Sequence, residues 1–423
     1  MYISIFNEIV RIMHEDYAGC LDKRGQHRPK IFRQRIVDLE KSGKNDQIFI
    51  DIVKDYLLDF QDRHIHLGIA GNAASKVTTG FQVRRFRESL VVTRCDQENR
   101  LIPGDEIIAL DDVDVLELVQ RHKRQLMETE AEREDWESIL PLYTTARVKK
   151  ASREIHSLTL QKAPKQPIPP IYSFNKISND LALMVLTDFM DENAISELIR
   201  ENEKILGSVE NLVIDVRINN GGSDLAFLKL LPYLFEGETI NLSDFDDGQM
   251  LTNCTELNVD LRVELLEIAV GRVKDEETIK QIKELITELK RNRGAGFVEL
   301  NFGTKEESFV LPTKKGPEKI IILSDVYCGS SGDSFVEICK HSSKVTVVGR
   351  PTLGLNDYAN LAIKKLESKF ELWYPTSKLS KVEGGKGMTG VGIQPDIYVP
   401  WSPAHLQEDL DMKRALEIIY ATN

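Results

Sequence analysis

An alternation that begins near residue 171 constrains this chain more than any other feature. Apolar runs of strand length take turns with helical repeats: LALMVLTDF then NAISELIRENEKIL, NLVIDVRIN then SDLAFLKLLPYLF, and KIIILSD then a serine-containing helix. Such runs, separated by segments of helical period, argue layered α/β architecture. KVTVVGRPT, FELWYPTS, GVGIQPDIYVP and a terminal helix complete the series.

The preceding residues follow other patterns. IFNEIVRIMHEDY and QIFIDIVKDYLLDF are helical in period, and DRHIHLGIAG alternates like a short strand with Asp62, His64 and His66 on one face. GFQVRRF, SLVVTRC and LIPGDEIIALDDVDV read as strands and a tight turn, followed by a long polar helix expected over about 114–140. REIHSLTLQK closes that unit, and the proline-rich APKQPIPPIY is a linker. The domain reading is a helical region at 1–66, an inserted unit at 67–165, and an α/β core at 166–423 with a charged helical insertion at about 236–295.

Charge and cysteine usage exclude several classes. A formal net charge of −12 opposes broad binding to nucleic acid or anionic membranes. No stretch is long and apolar enough to span a bilayer, and the first helix has no uninterrupted signal-peptide core. Five cysteines without CxxC spacing read as reduced thiols of a cytoplasmic protein, neither a disulfide framework nor a zinc site. No cofactor and no metal is expected, and a homo-oligomer is allowed.

The stretch VYCGSSGDSFVEICKHSS, residues 326–343, poses the functional question. Small residues let a backbone turn sharply, and the amides at a helix start are the positive end of its dipole. Ser330 or Ser331 there can be a plain helix cap or a serine poised to attack a carbonyl. His64 and His66 can be ordinary strand residues, a general base, or two metal ligands with Asp62. Cys328 reads as a small buried thiol.

Taken in order, NLVIDVRINNGG, IIILSDVYCGSSGDSFVE, VVGRPTLG and TGVGIQPDIYVP resemble the S41 family of serine peptidases, the carboxyl-terminal processing and tricorn-like proteases. LIPGDEIIALDDVDV resembles that family's PDZ domain, and DRHIHL the segment ahead of it. The resemblance implies a ClpP/crotonase-like α/β core with a helical N-terminal region and an inserted PDZ-like domain. It implies peptide or protein substrates and a serine nucleophile in an S-A-G-E-like tetrad, here Ser330-Ser331-Gly332-Asp333. The fold also hosts non-catalytic ligand-binding proteins, so a peptide- or ligand-binding role is the alternative.

A serine hydroxyl needs a base. The lysine of the processing-protease branch is absent, since its place holds Leu355. The histidine of the tricorn-like branch matches His64, and imidazole suits the task near neutral pH. That branch's serine and glutamate are replaced by Arg63 and Thr389, so Asp62, Glu383 and Thr389 are the positions from which an orienting group is sought. Oxyanion donors are expected from the amide of Ser331 and from Gly221 and Gly222, where glycine lets an amide face a substrate without an obstructing Cβ. In the PDZ-like unit a peptide adds beside a sheet edge, and Thr79, Gly80, Phe81, Gln82 and Val83 form the expected carboxylate loop and strand.

Overall fold

The computed structural model describes residues 1–43, 45–71, 77–128, 130–245, 249–273, 276–301 and 310–421. The chain forms two compact units, each assembled from three separated stretches.

The first unit comprises Met1–Ala74, Ser223–Lys314 and Gly354–Thr389. Helices Tyr2–Glu15, Pro29–Ser42 and Asp46–Leu57 open it. Proline at the first position of the second helix costs no hydrogen bond, and Asn45 caps the third by accepting from the Ile48 amide. Their apolar stripes bury Phe6, Ile9, Met13, Phe49 and Tyr56 against Leu366, Phe370, Leu372 and Tyr374. Those last residues lie on the hairpin of Tyr358–Leu366 and Phe370–Leu379. Phe370–Leu379 also pairs antiparallel with His66–Ile69 and with Met250–Cys254. Helices Glu256–Val270 and Glu276–Arg291 form a smaller core through Val259, Val263, Ile286 and Leu289.

The second unit comprises Ser75–Gly222, Lys315–Leu353 and Gly390–Asn423. Its main sheet has six strands in the order Tyr172–Lys176, Leu181–Leu186, Asn211–Asp215, Lys319–Ser324, Val345–Gly349 and Ile397–Tyr398. The first pair is antiparallel and the remainder are parallel. Leu212–Ile214 and Ile320–Leu323 are buried, which explains their unbroken apolar runs. The α/β expectation is met here, in a mixed sheet with Glu192–Glu201, Ser331–Cys339 and Leu410–Ile419 as its longer helices.

A second, antiparallel sheet in this unit runs Phe81–Phe86, Ser89–Cys95, Glu106–Leu110, Thr145–Lys149, Ile155–Thr159. The Pro-Gly-Asp turn works as its sequence demands: Gly104 has φ of +98° and the Asp105 carboxylate accepts the Ile102 amide. The long helix expected over 114–140 is not formed. Helices Val115–Arg121 and Lys123–Leu126 end at Met127 with φ of +55°, and short 3₁₀ turns follow at Ala131–Arg133 and Leu140–Leu142. Tertiary contacts override helical propensity there. Arg133 is buried and donates to the carbonyls of Thr352 and Leu353 at 2.9 and 3.0 Å. Glu134 accepts from Arg85 and from the Trp136 indole.

Candidate functional site

Ser330 stands six residues beyond the end of strand Lys319–Ser324, at the start of helix Ser331–Cys339. Its backbone has φ of 57° and ψ of −122°. A side chain in that region costs about 1–3 kcal/mol and persists only where surrounding bonds impose it. The imposing bonds are visible. The Ser330 amide donates to the Asp333 carboxylate at 2.7 Å, the Gly332 amide to Gly329 O at 3.0 Å, and the Gly329 amide to Asn219 O at 2.9 Å. On the far side, the Leu353 amide donates to Cys328 O at 2.7 Å. Cys328 is fully buried, and burial raises its thiol pKa well above the ordinary value, so it is a packing group.

The strand end beneath the serine is held by charge. Asp325 receives a two-pronged bond from Arg84 at 2.9 and 2.7 Å and a third from Arg350 at 2.8 Å. Burial pushes its carboxyl pKa up, but the two guanidiniums outweigh this and hold it at about 2. Arg350 continues to Asp411, which also meets Arg217.

The glycine turn packs directly on the serine. Gly221 has φ of +78°, and a Cβ there would lie 2.7 Å from both Gly329 O and Ser330 Cβ and 3.0 Å from the Ser331 nitrogen. Gly222 has φ of +149°, and a Cβ there would lie 2.3 Å from the Phe189 carbonyl. Only glycine fits either place. The structure thus brings Ser330, Ser331 and Gly221 together. It corrects one expectation: the Gly221 amide already donates to Asn219 Oδ1 at 2.9 Å, so it is not offered to a substrate oxygen. Sequence reasoning missed Asn219. Its signal was the Asn-Asn-Gly-Gly run, in which an Asn side chain bonds the backbone two residues on.

His64 belongs to the first unit. The strand read over DRHIHL starts only at His66, and Asp62–His64 form a turn instead. Gln61 has φ of 50°, and the Ile65 amide returns to Asp62 O at 3.2 Å. Asp62 and His66 therefore do not share a strand face with His64. The Asp62 carboxylate accepts the His64 amide at 2.9 Å and the Tyr17 hydroxyl at 2.9 Å, and His64 Nδ1 lies 3.9 Å from Asp62 Oδ1. Burial raises the Asp62 pKa. His66 is exposed and stacks on Trp373 with ring centroids 5.2 Å apart.

The two other orienting positions are engaged elsewhere. Glu383 pairs with Lys378 at 2.9 Å, and the Thr389 hydroxyl donates to Asp357 at 2.6 Å. Among the described residues, neither is hydrogen-bonded to His64, and no three His, Cys, Asp or Glu side chains form a group able to hold a metal ion.

The expected peptide-binding stretch lies at one end of the antiparallel sheet. Gly80 has φ of +81°, and its carbonyl accepts the Asp96, Gln97 and Glu98 amides. Thr79, Phe81 and Val83 are buried, and the ladder to Ser89–Cys95 shifts register between Gln82 and Val83. The chain's own Ala131–Arg133 turn lies alongside this strand, with Arg84 Nε bonded to Glu132 O at 2.9 Å.

The profile of peptidase family S41 matches residues 180–399. No curated protein sequence is significantly similar. Among solved structures, mature CPAF complexed with lactacystin is similar with a TM-score of 0.66 at 12% identity, covering 100% of this chain and 99% of that one. The photosystem II D1 C-terminal processing protease is similar with a TM-score of 0.47 at 13% identity, covering 98% and 97%. The tricorn protease gives a TM-score of 0.43 at 13% identity, with 99% of this chain covering 36% of that one.

Proposed function

Since the chain belongs to peptidase family S41, we propose that it is a serine-type peptidase in which Ser330 attacks the peptide carbonyl and His64 accepts its proton. The negative oxygen of the tetrahedral intermediate is bound by the amides of Gly222 and Ser331. His64 then protonates the departing amine, and water hydrolyses the acyl-enzyme by the same route in reverse. The PDZ-like unit at 67–165 presents substrate, with the loop at 79–83 receiving a peptide's terminal carboxylate. The cysteines are all free, which fits action in a reducing, cytoplasmic setting.

One observation carries the reading. Ser330 keeps a costly positive φ at a strand-to-helix turn, as a nucleophile elbow does, while a glycine turn lies against its Cβ. A helix cap alone has no need of that backbone, because caps occupy the ordinary extended region.

The experiment is hydrolysis of a denatured protein by Ser330→Ala and Ser331→Ala, with circular dichroism as the folding check. Ser330→Ala is expected to abolish hydrolysis, and Ser331→Ala to lose less than about tenfold because its amide is kept. Hydrolysis by Ser330→Ala at the wild-type rate would overturn Ser330 as the nucleophile, and no hydrolysis by folded wild type would return the chain to the non-catalytic, ligand-binding class.

A further inference from the structure

Asn219 makes more use of its polar atoms than a turn residue requires. It is completely buried. Its side-chain Nδ2 donates to Leu186 O at 3.0 Å, at the end of a central strand, and its Oδ1 accepts the Gly221 amide at 2.9 Å. Its main-chain carbonyl accepts the Gly329 amide at 2.9 Å, one residue before Ser330. One residue therefore joins a sheet strand, the glycine turn and the serine turn.

The consequence falls on the peptide between Gly221 and Gly222. Gly221 lacks the side chain that would restrict it, so its φ of +78° must be imposed from outside. On its N-terminal side the Asn219 side chain holds the N–H. On its C-terminal side the Gly221 carbonyl accepts the Phe189 amide at 2.8 Å. In a trans peptide the C=O and the following N–H point in opposite directions. With the Gly221 carbonyl turned to Phe189, the Gly222 N–H is turned away from Phe189.

We infer that Asn219 is the positioning residue of the oxyanion turn, keeping the Gly221–Gly222 peptide in the single orientation that presents the Gly222 amide. This rests on the assignment of Ser330 as nucleophile. Asn219 touches no substrate in this account and acts only through the two turns it ties together. Its contribution is preorganisation, which lowers the barrier without altering how substrate is bound beforehand.

The test uses full-length Asn219→Asp and Asn219→Ala beside wild type and Ser330→Ala, with kcat and KM measured across pH. A neutral aspartic acid at 219 reproduces both side-chain bonds, its C=O accepting from Gly221 and its O–H donating to Leu186. An ionised one cannot donate to Leu186, and it sets a negative charge next to the developing oxyanion. The expected result is that the ratio of Asn219→Asp to wild-type kcat is within about fivefold of unity at the acid end and falls by a further ~10²-fold as pH rises, with KM within about threefold. Asn219→Ala is expected to lose ~10–10²-fold in kcat at every pH. A pH-independent ratio for Asn219→Asp overturns the inference, as does a falling ratio that merely follows loss of folded protein by circular dichroism. Should Asn219→Ala fail to fold, the Asp variant alone decides. Wild-type activity in Ser330→Ala is a separate failure, since it removes the nucleophile and leaves the pH behaviour of residue 219 unexplained.

Discussion

Around Ser330 the backbone is held from both sides, by Asp333 and Asn219 on one and Leu353 on the other, and the strand end beneath it is clamped by two arginines. At His64 a ring nitrogen, Nδ1, is buried with no hydrogen-bond partner among the described residues, and the neighbouring carboxylate oxygen stops at 3.9 Å. The serine's geometry is thus fixed by main-chain bonds that cannot be adjusted singly. The histidine's geometry rests on one buried carboxylate, and the second oxygen of that carboxylate is held by Tyr17.

The comparison breaks most visibly at the base itself. His64→Gln is expected to lose ~10²–10⁴-fold in kcat with the fold intact, the usual worth of a positioned general base. Full activity in this variant, measured on the same protein substrate, moves the search to another base.

The serine half is tested through its charges. Asp325 has its pKa depressed to about 2 in the folded state, below its ordinary 3.8. A depressed carboxyl contributes stability above its unfolded pKa and loses it as pH falls through the folded one, here from about 4 to about 2. Arg84→Met removes one of the two guanidiniums, so Asp325 protonates more readily. Acid unfolding of the variant, followed by circular dichroism, should begin at higher pH than in wild type. An unchanged acid limb means that Arg350 alone sustains Asp325.

Smaller effects sharpen the histidine half. Asp62→Asn keeps one oxygen for the His64 amide and turns an N–H donor towards the Tyr17 hydroxyl, withdrawing the charge, and a loss of ~10–10²-fold in kcat is expected. Tyr17→Phe removes only the hydroxyl that steadies Asp62, and a loss of about three- to tenfold is expected, with melting temperature as the control for packing. His66→Gln should stay within about twofold, since this ring is exposed on Trp373 and belongs to no metal-holding group among the described residues. Equal losses in His64→Gln and His66→Gln, reversed by added zinc, favour the metal reading.

Much of this was legible in the sequence because it depends on local signals. Unbroken apolar runs marked Asn211–Asp215 and Lys319–Ser324 as buried strands, and Gly221 and Gly222 marked a turn where backbone meets backbone. What was not legible depends on contacts distant in the chain. The polar stretch over 114–140 has helical composition, yet Arg133, Glu134 and Trp136 are committed to carbonyls and side chains elsewhere, and the helix stops at Met127. The alternation in DRHIHL imitates a strand, but the Asp62 side chain captures the His64 amide and makes a turn. The role of Asn219 was not legible, because its partners Leu186 and Gly329 lie 33 residues before it and far after it in sequence.

Intact-mass and peptide mapping after treatment with a fluorophosphonate tests the central claim most directly. Such probes phosphonylate an activated serine oxygen with loss of fluoride, leaving a stable adduct. One adduct per chain is expected, on Ser330, absent from Ser330→Ala and formed far more slowly by His64→Gln. A folded wild-type protein that hydrolyses peptides while taking no label at Ser330, or taking it at another residue, would contradict that claim.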